Sequence, residues 1–256
     1  MNEPPLRIEV TPVGFYIDRI VEPVRRHDAD VVYLVLGSSR KSDGSATFLK
    51  EVIRQLRNWK PRLTIHEVRA DRWNLETALE TFSQIVQKEV AAGNSVWVNV
   101  STGSKLEAIA GALATMAHGG VAYYVRMRSY DERRSPKPLA EGVVGIDVIP
   151  TYGLPSPSPA ALEVLRLLEG YPDGQPKQWL VAELEQSRVI PSVRAGGSSV
   201  SIQSKYGRLQ SILDELTRDP TLVRITGQRR STRILIEPRG RIALRIFGSG
   251  KSRKGP

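Results

Sequence analysis

The stretch Ser95-Val-Trp-Val-Asn-Val-Ser-Thr-Gly-Ser-Lys105, running on into the small apolar segment Leu106 to Met116, decides how the first half of the chain is read. An apolar run, a hydroxyl-rich glycine turn and a helical pattern opening at Lys105 predict a buried strand that feeds a helix. At such a junction the first N–H groups of the helix lack intrahelical partners and the helix dipole presents its positive end. The space above the strand therefore favours an anion, and Thr102, Ser104 and Lys105 add donors and a full charge. A phosphate is the expected guest.

Working outward, strand signals at Arg7–Thr11, Val31–Gly37, Leu63–Val68, Ser95–Ser101 and Val121–Met127 alternate with helical patterns at Tyr16–Arg26, Ala46–Asn58, Leu75–Ala91 and Lys105–His118. Two of the strands, Val-Val-Tyr-Leu-Val-Leu and Val-Trp-Val-Asn-Val, are almost continuously apolar, as parallel strands covered on both faces should be. The expected fold class is α/β, with a Rossmann-like, mostly parallel sheet. Ligands of such sheets bind beyond the carboxyl ends of the strands, near a switch in strand order. The expected loops are Pro12, Val13, Gly14 and Phe15 after the first strand, Gly37, Ser38 and Ser39 after the second, and Ser101, Thr102, Gly103, Ser104 and Lys105 after the fourth.

The chain has 256 residues, enough for two domains, and no cysteine. Disulfides, cysteine-ligated zinc, iron–sulfur clusters and thiol catalysis are excluded. His27, His66 and His118 lie far apart without metal-ligand spacing, so no metal is expected. Nothing at the N-terminus resembles a signal peptide and the longest apolar runs are strand-sized, which leads to the expectation of a cytoplasmic protein without a membrane span. No G-x-G-x-x-G fingerprint or G-x-S-x-G elbow occurs. Gly250-Lys251-Ser252 resembles the end of a Walker A loop, but Arg245 stands where its first glycine belongs, so it reads as a basic tail.

Charge is uneven. Residues 1–150 hold 20 Lys and Arg against 18 Asp and Glu, whereas residues 151–256 hold 17 against 9. After Pro220, ten cations including Arg224, Arg229, Arg230, Arg233 and Arg239 face only Glu237, the electrostatic footprint of nucleic-acid contact or of a solvated basic surface. The expected domains are 1–150, a Pro/Ser linker at 151–159 centred on Leu154-Pro-Ser-Pro-Ser-Pro159, and 160–256. In the last of these, helical stripes at Ala160–Glu169, Gln178–Gln186 and Ser199–Arg218, the third including Ile202, precede strands at Leu222–Thr226 and Thr232–Glu237 around a Gly227-Gln-Arg-Arg-Ser231 turn. The order resembles a winged helix-turn-helix with a closing element after Ile236, while Val189–Ser198 has no assigned role. In that arrangement Ser201, Gln203, Ser204, Lys205 and Arg208 would face double-stranded DNA from the third helix, and Arg229, Arg230 and Arg233 from the wing.

The segments Thr11-Pro-Val-Gly-Phe-Tyr-Ile-Asp-Arg19 and Asn99-Val-Ser-Thr-Gly-Ser-Lys105, in this order of elements, resemble the CARF domain, the CRISPR-associated Rossmann fold, over roughly the first 150 residues. The resemblance implies binding of a cyclic oligoadenylate at a homodimer interface by the loops named above. Ser104 stands where that family typically has a second glycine. The combined expectation is a homodimeric, ligand-responsive DNA-binding transcription regulator in CRISPR-linked defence, with cyclic oligoadenylate as effector, no cofactor and no assigned catalytic residue. The alternatives are a ring nuclease, in which Lys105, Ser104 and Ser38 assist attack by a ribose 2′-hydroxyl on the adjacent phosphate, and a non-specific nucleic-acid-binding protein. A HEPN-type ribonuclease finds no Arg and His at the needed spacing, and residues 151–256 hold no histidine.

Overall fold

The computed structural model describes residues 4–38, 45–130, 140–192, 199–218, 221–227 and 232–248. The expected site residues Ser39, Arg229 and Arg230 lie outside them, as does the basic tail from Lys251. The chain forms two compact units, Met1–Leu154 and Pro155–Pro256.

In the first unit β1 (Arg7–Pro12), α1 (Ile17–Arg26), β2 (Val31–Gly37), α2 (Ser45–Trp59), β3 (Thr64–Ala70), α3 (Leu75–Ala91), β4 (Ser95–Asn99), α4 (Lys105–His118), β5 (Val121–Tyr130) and β6 (Ala140–Ile149) follow in order. They build one six-stranded sheet, β3-β2-β1-β4-β5-β6. All neighbours are parallel except β5 and β6, which pair antiparallel with a bulge at Arg126/Met127. The mostly parallel α/β sheet is as expected. The added strand β6 was not, because Ala-Glu-Gly-Val-Val-Gly carries two glycines and no clean alternation.

The sheet grows outward both ways from the β1/β4 pair, so the switch in strand order falls between those strands. One face carries α1 and α2 over a core that includes Val32, Leu34, Ile20, Val24 and Leu56. On β1 itself the alternation seats Glu9 and Thr11 among buried neighbours. Both are polar residues among the last five of the strand, which are all buried, whereas Arg7 at its start is exposed.

In the second unit α5 (Pro159–Glu169), α6 (Lys177–Gln186), α7 (Ile202–Leu216), the antiparallel ribbon β7 (Val223–Thr226) and β8 (Arg233–Ile236), and α8 (Pro238–Phe247) surround one core built on Leu165, Leu168, Leu180, Leu184, Leu209 and Leu213. Gln175, just before α6, exchanges both backbone hydrogen bonds with Ile234, a single antiparallel β-bridge against the ribbon. Proline at the first position and Ser158 as cap start α5, whose Oγ accepts from Ala161 N at 3.1 Å. Residues 187–201 separate α6 from α7, in place of the three- or four-residue turn of a simple helix-turn-helix. Part of that segment has a structural job: Ile190 is buried in the core, and Leu184 O accepts from both Val189 N and Ile190 N.

Candidate functional site

The site forms where the loops after β1 and β4 meet. A Cβ placed on Gly14 would stand 2.6 Å from Thr102 Oγ1 and 3.0 Å from Gly103 N, and one on Gly103 would stand 2.4 Å from Pro12 Cβ. The two loops thus touch at backbone distance, and only glycines allow it. Gly103 also has φ +81°, the left-handed region that a side chain disfavours.

Three buried polar groups hold this contact. Asn99 Oδ1 accepts from both Ser101 N at 2.9 Å and Ser101 Oγ at 2.6 Å, while Asn99 Nδ2 donates to Arg19 O at 2.7 Å. Arg19 Nη1 returns a bond to Ser101 O at 2.9 Å, with its guanidinium over the Tyr16 ring at 4.9 Å. Arg72, from the loop after β3, donates from Nη2 to Val13 O at 3.1 Å, and its carbonyl accepts from Ser104 Oγ at 2.8 Å. Arg72 and Arg19 are only 6% and 5% exposed, so two guanidinium charges lie beneath the loops rather than at their surface.

The start of α4 corrects the sequence reading in one respect. Ser104 and Glu107 form a capping box: Ser104 Oγ accepts from Glu107 N at 3.1 Å and Ser104 N donates to Glu107 Oε2 at 2.6 Å. The fully buried Glu107 carboxylate supplies the negative charge that the helix end attracts. Ser104 is therefore satisfied within the chain and its amide is not a free donor. The signal was present as Ser104-x-x-Glu107, a capping-box spacing that the phosphate reading passed over.

The other expected residues divide clearly. Ser101 is buried and spent on Asn99, and Val13 is fully buried in the α1/α2 core with its carbonyl on Arg72, so neither offers a group to a ligand. Pro12 and Gly14 are buried at the contact between the loops, and Gly37 is buried at the end of β2. Phe15, Ser38, Gly103 and Lys105 are exposed, and Lys105 makes no hydrogen bond or ion pair with a described residue. Thr102 is 4% exposed, yet its Oγ1 has no hydrogen-bond partner among the described residues, a buried hydroxyl that faces the Gly14 contact. Arg19, Arg72, Asn99 and Glu107 were not foreseen as site residues. Of these only Asn99, a lone amide inside the apolar run Val-Trp-Val-Asn-Val, stood out in the sequence.

A polar cluster continues below the loops on the same face. Glu9, 1% exposed, accepts from Tyr123 Oη at 2.8 Å and contacts His27 Nδ1, whose ring lies against Trp97 at a centroid distance of 4.3 Å and a tilt of 33°. Burial pushes the Glu9 carboxyl above its ordinary value, although the bonds from His27 and Tyr123 oppose this. The Tyr123 hydroxyl is raised too, by burial first and then by the Glu9 charge.

In the second unit Ser201, Gln203, Ser204 and Arg208 are exposed along the first turns of α7, and Ser201 caps that helix, its Oγ accepting from Ser204 N at 3.3 Å. Lys205 departs from expectation: its ammonium pairs with Glu185 of α6 and its side chain is only 18% exposed. Arg233 is exposed, as expected, while donating from Nη1 to Gly174 O at 3.1 Å. Ile202, expected in the apolar stripe, is 68% exposed, because it stands at the first position of α7, ahead of Tyr206 and Leu209, which pack on the core.

Among the described residues no group of His, Asp and Glu is placed to hold a metal, and no helix is long and apolar enough to cross a membrane. The first unit is thus a Rossmann-like α/β fold with glycine-lined loops converging at its switch point. A family model described as "HFX_2341_N:-like, N-terminal" matches residues 7–130. No curated protein matches the chain. Among solved structures, Enterococcus italicus Csm6 bound to cyclic hexa-2′-fluoro-hexa-dAMP is similar at 15% identity and a TM-score of 0.46, over 86% of this chain and 57% of that one. Can2 from Sulfobacillus thermosulfidooxidans in complex with cyclic tetra-adenylate is similar at 14% identity and 0.39, and VC1899 from Vibrio cholerae at 10% and 0.41, each over 94% of this chain and 64% of theirs. The chain therefore spans less than two thirds of the length of any of the three.

Proposed function

We propose that the first unit binds a cyclic oligoadenylate at the β1 and β4 loops, and that the second unit is a winged helix-turn-helix that binds double-stranded DNA. The protein is then a ligand-responsive transcription regulator acting as a homodimer. The observation that carries the ligand reading is the close approach of Gly14 to Thr102 and Gly103 at the switch point, with a buried, unpartnered Thr102 hydroxyl and the exposed Lys105 cation beside it. Anionic ligands of open α/β sheets sit in such crevices. The choice of oligoadenylate rests on the resemblance carried by Thr11–Arg19 and Asn99–Lys105. Because Glu107 already occupies part of the helix end, the phosphate is held chiefly by Lys105 and by backbone around Gly103.

The DNA reading is supported by the element order helix, helix, helix, ribbon, with the Gln175–Ile234 bridge beside the ribbon, and by exposed Ser201, Gln203, Ser204 and Arg208 at the start of α7. Ligand would change operator affinity only through unequal binding to two states of the protein.

The test is calorimetric titration with cyclic tetra- and hexa-adenylate and their linear counterparts, on the wild type and Lys105→Ala. Removing one exposed charge near a phosphate lowers affinity by at least about fivefold, from roughly 1 kcal/mol at 4 Å in water. No binding to any of these species overturns the oligoadenylate reading. Shortening of the ligand during the titration would establish the ring-nuclease alternative.

A further inference from the structure

We propose that Trp73 is a base-stacking platform of the β1/β4 site, so that the bound ligand is held through a purine ring as well as through phosphate; this rests on the oligoadenylate reading above. Trp73 sits in the loop between β3 and α3, a strand-end loop that sequence reading did not include. Its side chain is 76% exposed, and its indole makes no ring contact or hydrogen bond with a described residue. The chain's other tryptophans, Trp59, Trp97 and Trp179, are all partly buried.

The position of Trp73 is nevertheless tightly set. Arg72 turns inward to Val13 O, and the Arg72 carbonyl accepts from Ser104 Oγ at 2.8 Å. The peptide that joins Arg72 to Trp73 therefore hangs on the β4 loop through its oxygen and on the β1 loop through the Arg72 side chain. On the other side Trp73 N donates to Asp71 Oδ1 at 3.0 Å, and Asn74 caps α3 by accepting from Thr77 N at 3.1 Å. A large apolar ring is thus held in water, by a backbone fixed on both sides, one peptide bond from the residue that ties the two anion loops together. An indole displayed this way loses little conformational freedom when a base stacks on it. Phe15, 46% exposed, brings a second aromatic ring to the β1 loop, and Lys105 brings the cation. Rings that stack bases beside a cation that holds phosphate are the composition of a surface for nucleic-acid fragments.

The experiment compares wild type, Trp73→Ala, Trp73→Phe and Lys105→Ala with three probes: cyclic tetra-adenylate, cyclic hexa-adenylate and inorganic tripolyphosphate. Affinity is read by calorimetry and ring contact by quenching of tryptophan emission. Trp73→Ala is expected to weaken adenylate binding about 5- to 150-fold, to abolish the quench and to leave tripolyphosphate binding unchanged, whereas Trp73→Phe retains most of the affinity. Because the ring is exposed, far-ultraviolet circular dichroism and melting temperature are expected to match the wild type. Adenylate binding that Lys105→Ala weakens but Trp73→Ala leaves intact would overturn the stacking assignment alone. Absence of adenylate binding to the wild type would overturn both this inference and the reading on which it rests.

Discussion

The contact between the β1 and β4 loops can be broken by one methyl group. In Gly14→Ala the new Cβ stands 2.6 Å from Thr102 Oγ1 and 3.0 Å from Gly103 N, where ordinary contact needs 3.4 Å or more. Neither neighbour yields easily: Thr102 is 4% exposed and the amide belongs to a turn anchored by Ser101 and Ser104. Overpacking of this kind costs typically 1–3 kcal/mol, against which alanine recovers about 0.4–1 kcal/mol by narrowing the unfolded ensemble. The expected net loss is about 1–2 kcal/mol. Thr102→Ala removes a buried hydroxyl that has no partner and is expected to stay within about 0.5 kcal/mol of wild type. The double variant removes the closer of the two clashes, so it should regain at least about 0.5 kcal/mol relative to additivity, with the remainder set by Gly103 N. Urea unfolding followed by fluorescence measures this in a Trp179→Phe background, where the remaining tryptophans, Trp59, Trp73 and Trp97, all report on the first unit. Gly153→Ala is the control, because nothing lies within 4 Å of a Cβ there. Additive single effects, or equal losses at positions 14 and 153, would refute the argument that the two loops touch at backbone distance.

Two further predictions concern other parts of the chain. Burial raises the Glu9 carboxyl above its value of 4.5, so its contribution to stability is fully present below pH 4.5 and falls as pH rises through the folded-state value. Glu9→Gln is expected to flatten that loss in unfolding measured from pH 4.5 upward, and identical slopes in both proteins would count against it. On α7, Arg208→Ala is expected to lower the slope of log affinity for DNA against log salt by about one, while Lys205→Ala, whose ammonium is already committed to Glu185, leaves that slope nearly unchanged. An equal effect of the two substitutions would overturn this assignment of the DNA-facing side.

Most of the first unit was legible because its periodicities are strong. Val31–Gly37 and Leu75–Ala91 coincide with the observed elements to the residue, since long apolar runs and amphipathic stripes bury the same faces in any compact arrangement. The strand Ser95–Asn99 ends two residues earlier than expected because the Asn99 side chain captures Ser101 and turns the chain. In the second unit the helices lie within a few residues of expectation. The direction of Lys205 was not readable, because an exposed pattern on α7 says nothing of an acid on α6.

By itself, the sequence determined the alternating strand and helix order, the absence of cysteine chemistry, the basic second half, and the glycine turn that opens α4. These follow from composition, periodicity and local backbone preference, which need no partner distant in the chain. Tertiary structure alone decided which of the hydroxyls and cations face outward. Ser101, Ser104 and Glu107 are consumed by hydrogen bonds within the fold, and Arg19 and Arg72 are drawn under the loops. Trp73 and Lys105 are left in water at the rim. The reason is that a donor is spent or available only relative to what the topology brings within about 3 Å of it, and strand order, here the meeting of β1 with β4 across the switch point, is set by long-range packing that no local pattern encodes.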